Sequence, residues 1–147
     1  MKIQTGIPQN RRLEVITWAF EYFQHVATKP YFFAIIAQET NWDLSVILVD
    51  DNDVIKGCYL FGDQQVGSIV DTDDFNGMEG IEGILLAVDK EIRGQGWGNK
   101  LKDYPKTLGI DYIWGQQFKT LGNLQDWLKR RYLYAETDSV YIKIEKY

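Results

Sequence analysis

The stretch "LLAVDKEIRGQGWGNKL", residues 85–101, decides how the chain is read. Its apolar start, preceded by "IEGI", has no alternation and reads as a strand buried on both faces. A short polar stretch leads to Arg93-Gly94-Gln95-Gly96-Trp97-Gly98, after which Trp97, Leu101 and Tyr104 recur at helical steps until Pro105 kinks or stops them. Strand, glycine turn, helix is the arrangement that collects backbone N–H groups at a helix N-terminus. Missing side chains let anion oxygens approach the main chain, and the helix dipole adds a favourable field.

Working outward, Leu13, Ile16, Phe20 and Phe23 predict an amphipathic helix over about Pro8 to Val26, ended by Lys29-Pro30. "YFFAIIAQET" is read as a second short helix. "LSVILVD" and "VIKGCYLFG" flank Asp51–Asp53 as a β-hairpin, and the acidic connection "DTDDFNGMEG" follows. "IDYIWG" is another strand, and Asn123 stands as N-cap of a helix whose Leu124, Trp127, Leu128 and Arg131 share a face. "YLYAETDSVYIKIEKY" closes as a hairpin with Val140, Ile142 and Ile144 on one side. The expectation is a single α+β domain over residues 1–147, a mixed, mostly antiparallel central sheet flanked by helices.

Composition narrows the partners. With 147 residues, 45% hydrophobic and 25% charged, the chain can build a core. No apolar run reaches the roughly 18 residues of a membrane span, and "MKIQTGIPQN" has no signal-like apolar segment. A net charge of −5 argues against a nucleic-acid binder and is compatible with a cationic small substrate. The single cysteine, Cys58, reads as a buried hydrophobe, which points to a cytoplasmic protein. Self-association as a homodimer is compatible with the same reading.

Three phosphate-binding patterns compete for the glycines. A dinucleotide-binding G-x-G-x-x-G turn needs glycine where Asn99 stands, and a P-loop needs Gly-Lys-Ser/Thr where Gly98-Asn99-Lys100 stands. Both fail on those residues. The third pattern, Arg/Gln-x-x-Gly-x-Gly/Ala after an apolar strand, is met by Arg93, Gly96 and Gly98, and the stretch closely resembles the coenzyme A pyrophosphate loop of the GNAT N-acetyltransferase superfamily. The resemblance implies a GNAT-type fold and acetyl-CoA as cosubstrate. The backbone of Leu86, Ala87 and Val88 would pair with the pantetheine arm, and Arg93, Gly94, Gln95, Gly96, Trp97 and Gly98 would wrap the pyrophosphate. Asn123 matches an asparagine that the family places near the pantetheine, beside its plain reading as a cap. The tyrosine that family members often carry seven residues later is Arg130 here, and "WLKRRYLYAET" is shortened relative to the family.

Acetyl transfer to an amine needs a neutral nucleophile, whereas a lysine-like amine of pKa ~10.4 is charged at neutral pH. It also needs a donor for the carbonyl oxygen, here a strand N–H near Leu86 to Val88, and a proton for the departing thiolate. Glu79 and Glu82 are the candidate bases, Glu82 being preferred because the family often uses a glutamate at the start of this strand. Tyr132 and Tyr134 are the candidate acids, with Tyr132 preferred. "WAFEYFQHVATKPYFF" either borders the acceptor site or forms a core stripe, and His25 reads as a helix-end packing residue. "DTDDFNGMEGIE" fails as a calcium loop, because Phe75 and Asn76 occupy a ligand position and the obligatory glycine. The chain is therefore read as an acetyl-CoA-dependent N-acetyltransferase attacking directly in a ternary complex, with a small-molecule or protein amine as acceptor. A catalytically silent acyl-CoA-binding or sensor domain is the alternative, and a nucleotide-binding domain using the same glycines is a third reading.

Overall fold

Val46, Ile47, Leu48 and Val49 are four consecutive apolar residues, three of them β-branched, and all four are fully buried in a strand. They are β2 (Val46–Val49), and β1 (Lys2–Thr5) pairs along it antiparallel. The computed structural model describes residues 1–147. β1 was not anticipated: "KIQT" is short, half polar and exposed at its ends, so it carries no periodicity and exists because β2 offers it a ladder. β3 (Ile55–Gly62) completes the predicted hairpin, with a register shift at Leu48/Val49 and Asp53 at φ 62° in the turn.

The remaining strands are β4 (Gly80–Val88), β5 (Tyr112–Phe118), β6 (Leu133–Glu136) and β7 (Val140–Lys146). The strand order is β1-β2-β3-β4-β5-β7-β6, with β4–β5 parallel and β1–β2, β2–β3, β5–β7 and β6–β7 antiparallel. Four helices accompany them, α1 (Arg12–Phe23), α2 (Lys29–Glu39), α3 (Trp97–Asp103) and α4 (Asp126–Tyr132). The expected mixed, mostly antiparallel α+β architecture is what the chain adopts. Its packing divides into two compact units, Met1–Gly62 with Ile84–Tyr104, and Asp63–Gly83 with Pro105–Tyr147, and β4 runs through both.

In the first unit, Val15, Ile16 and Ala19 of α1 and Phe32 and Ile36 of α2 cover Ile47, Val49, Cys58, Leu60, Leu85 and Ala87. Phe20 and Phe32 join the helices at 5.3 Å between ring centroids. Leu13 was expected on this face but is 67% exposed. At about 100° per residue it falls roughly 110° around α1 from the centre of the Val15, Ile16 and Ala19 stripe, outside the buried face. Pro30 opens α2 rather than merely ending α1, since a proline in the first turn forfeits no hydrogen bond. His25 lies beyond α1 and is exposed. α3 seats closely because Gly57 lacks a side chain: a Cβ there would stand 3.1 Å from Leu101 Cδ1 and 3.1 Å from the Ala87 carbonyl oxygen.

The second unit packs Val66, Phe75, Tyr112, Trp114, Val140, Ile142 and Ile144 together. The acidic β3–β4 connection is pinned by Phe75, which is buried 4.7 Å from the Tyr112 ring and 5.2 Å from that of Tyr134. Pro105 ends α3 as expected, and the chain continues as a 3₁₀ turn over Tyr104–Leu108.

Candidate functional site

In the first unit β4 delivers the glycine loop. Its last residues are not buried on both faces: Leu85 and Ala87 are in the core, while Ile84 and Val88 are half-buried and Leu86 is 37% exposed. An unbroken apolar run thus carries one covered and one open face, a distinction that depends on what packs above the strand. Asp89 then starts a 3₁₀ turn, Lys90–Ile92, its side chain accepting from the Glu91 N–H. Lys56 of β3 sits 4.0 Å from Asp89 and 3.7 Å from Glu91, offsetting acidic charge beside the loop.

Gly94 (φ 84°) and Gly96 (φ 89°) are both left-handed, a conformation that costs other residues roughly 1–2 kcal/mol. No atom lies within 4 Å of a Cβ built on either, so the space over the main chain is open. Gly98 differs. It is already inside α3 without positive φ, and a Cβ there would make only an ordinary contact with Val88 Cγ2 at 3.8 Å. Arg93 is exposed, its Nε donating to the Val88 carbonyl oxygen at 3.3 Å, and Gln95 is exposed beside it. Trp97 opens α3 half-buried, with Lys100 Nζ 4.2 Å from its ring. The loop therefore presents bare backbone flanked by cationic side chains, an anion-binding chemistry.

The second unit holds the candidate acid–base groups. Glu82 is 7% exposed, whereas Glu79 is exposed and lies before β4. β4 pairs with β5 as Gly80↔Tyr112, Ile81↔Ile113 and Glu82↔Trp114, so Glu82 shares a face with Trp114, and Gln116 Nε2 donates to its Oε2 at 3.5 Å. Below it, the Tyr112 ring occupies the place of a Gly80 side chain, 2.2 Å from where a Cβ would be. The Gln65 side chain closes this corner, donating to the Gly80 carbonyl at 2.7 Å and accepting from the Tyr112 hydroxyl at 3.1 Å. Trp114 Nε1 donates to the Gln64 carbonyl at 2.7 Å. A carboxylate enclosed on a strand face shared with a buried tryptophan is the informative kind of buried polar residue.

Tyr132, the last residue of α4, is half-buried with Arg131 Cζ 5.2 Å from its ring. It lines an open cleft of about 280 Å³ with Phe75, Tyr134, Ile144 and Lys146, and Glu82 is not among the walls. Tyr134 is committed elsewhere: its hydroxyl donates to Asp74 Oδ2 at 2.5 Å and stands 2.6 Å from Thr72 Oγ1. The bond to Asp74 holds its ionisation above the ordinary phenol value. Asn123 is not the N-cap of α4. Gln125 is, because the helix starts three residues later at Asp126, and Asn123 Oδ1 accepts from the Tyr141 hydroxyl at 3.3 Å. The structure thus groups Leu86 to Gly98 in one unit and places Glu82, Asn123 and Tyr132 at separate positions in the other. Sequence reading missed Gln65 and Gln116. Gln116 stands two residues past Trp114 on the same strand face, a period-two signal, whereas Gln65 meets partners 15 and 47 residues away and leaves no local trace.

The architecture and the strand–glycine loop–helix unit define the GNAT fold. An acetyltransferase of the GNAT family from Listeria monocytogenes superposes with a TM-score of 0.61 at 9% identity, over 99% of this chain and 94% of that one. A GNAT family N-acetyltransferase from Escherichia coli, solved in complex with CoA, gives 0.63 at 16% identity, over 99% and 80%. A PaiA N-acetyltransferase from Thermoplasma acidophilum, in complex with coenzyme A, gives 0.59 at 11%, over the whole of both chains. No family profile matches the sequence, and no curated protein matches it. No helix is long and apolar enough to cross a membrane.

Proposed function

We propose that this chain is an acetyl-CoA-dependent N-acetyltransferase, a single GNAT-like domain acting on a primary amine. The observation that carries the reading is the exposed turn from Arg93 to Gly96, left-handed at Gly94 and Gly96, at the end of β4 in a GNAT fold. Its N–H groups and Arg93 would hold the pyrophosphate of CoA, and the backbone of Leu86, Ala87 and Val88 would bind the pantetheine arm. Gln95, Trp97 and Gly98 complete the loop, and Asn123 belongs near the pantetheine. One of the strand N–H groups near Leu86 to Val88 would stabilise the thioester oxygen as it becomes anionic.

Glu82 is the proposed base. Of the two candidate carboxylates it is the buried one, with the Gln116 amide 3.5 Å from its Oε2. It takes the proton from the ammonium form of the acceptor, freeing the lone pair that attacks the acetyl carbon; the C–S bond then breaks, the thiolate leaves as CoA, and the new amide nitrogen sheds its remaining extra proton to water. Tyr132 is the proposed proton donor to that thiolate, since the Tyr134 hydroxyl is already engaged as a hydrogen-bond donor to Asp74. The protein works in the cytoplasm and takes a small-molecule or protein amine, without nucleic acid or membrane. Incubation with acetyl-CoA and a panel of amino sugars, polyamines, amino acids and peptides, with released thiol as the signal, tests this. Thiol release dependent on one amine class supports it. CoA binding without release for any amine favours a silent acyl-CoA-binding domain, a reading prompted by Arg130 at the family's tyrosine position.

A further inference from the structure

Arg93 is held from below. Tyr22, in the last turn of α1, lies with its ring centroid 5.9 Å from the Arg93 guanidinium carbon. The ring also meets that of Trp18, one helical turn earlier, at 4.9 Å and 49°. The Tyr22 hydroxyl lies beside the backbone of Lys90. Burial and the nearby Asp89 carboxylate push its ionisation upward, so the hydroxyl stays a neutral phenol at physiological pH. Arg93 in turn uses Nε on the Val88 carbonyl, which leaves its two Nη groups to reach a ligand. One side chain of α1 therefore touches both the main chain of the approach to the loop and the cation at its entrance.

We propose that Tyr22 is the positioning residue of the anion loop, fixing the Arg93 guanidinium over its ring and the Lys90 backbone at its hydroxyl before any ligand arrives. The proposal rests on the reading of that loop as a CoA pyrophosphate site. An arginine already stacked and bonded surrenders less freedom on binding than a free one, so its contacts with phosphate return more affinity.

The test is a double-mutant cycle on the dissociation constant for CoA, using wild type, Tyr22→Leu, Arg93→Met and the double variant, with Tyr22→Phe as the conservative change. Thermal melting shows which variants keep the fold. Tyr22→Leu is expected to weaken CoA binding about tenfold, and Tyr22→Phe, which keeps the ring and loses only the Lys90 contact, about threefold. With Arg93 already replaced, Tyr22→Leu should change affinity less than about threefold, because the group it positions is gone. If Tyr22→Leu does not fold, Tyr22→Phe with and without Arg93→Met carries the same comparison. Undiminished affinity in a folded Tyr22 variant, or full additivity with Arg93→Met, overturns the role of Tyr22 alone. Failure of the wild type to bind CoA overturns the loop reading and this proposal with it.

Discussion

Gly96 shows how much one residue's backbone can decide. At φ 89° it sits where a β-branched side chain is strained, and the open space above it is where a phosphate oxygen would approach. Gly96→Val is expected to lose roughly 1–2 kcal/mol of stability and at least a hundredfold in CoA affinity. Calorimetric titration beside a melting curve separates the two effects, and a folded variant that binds CoA like the wild type would make the loop a mere turn. Glu82 tests the chemistry in the same way. Glu82→Gln should lower turnover by about 10²–10⁴ near neutral pH while leaving CoA affinity nearly unchanged. The deficit should narrow as pH climbs towards an amine pKa of ~10.4, where solvent supplies the neutral nucleophile. Glu79→Gln, altering an exposed carboxylate ahead of β4, serves as the control. Equal and small effects in a pH–rate profile of both variants would exclude either residue as the base.

Among the elements, β3 carries a titration into the core. Cys58 is fully buried within it, and burial pushes its thiol up to about 12 from an ordinary value of 9.0. Between those values the folded protein keeps a proton that the unfolded chain gives up. The folded state then binds more protons, so stability falls as pH rises through the window. From pH 8 to pH 10 this component amounts to about 1.4 kcal/mol. Urea unfolding of wild type and Cys58→Ala at the two pH values should show the slope reduced by that amount in the variant, whose cavity lowers stability at both. Identical slopes would mean that the thiol gains access to solvent. β4 makes the complementary point: its first half buries a carboxylate beside β5, while its second half leaves Leu86 open.

For the molecule as a whole, binding to the folded state alone must appear as stability. At CoA or acetyl-CoA concentrations 100 times the dissociation constant the gain is about 2.7 kcal/mol, which in a domain of this size raises Tm by several degrees. ATP shares an adenine nucleotide and phosphates but lacks the pantetheine arm, so it should give the smaller shift. A clear shift with ATP and none with millimolar acetyl-CoA would return the glycines to a nucleotide-binding role.

Residues 85–101 were legible on their own because their signals are local. The steric freedom of glycine at positions 94 and 96, the strand-forming run before them and the helical spacing of Trp97 and Leu101 all lie within a few residues of one another. The β2–β3 and β6–β7 hairpins were legible for the same reason. Tertiary structure alone decided that Glu82 is enclosed while Glu79 is not, and that β4 has an open face. It also placed Asn123 against Tyr141 rather than at a helix cap, and Tyr22 beneath Arg93. Each of these depends on partners that the sequence keeps far apart: Tyr22 and Arg93 are joined by a helix and a loop folding together, and burial belongs to what packs around a side chain. Local sterics and periodicity can be read along a chain; enclosure exists only once the chain has folded.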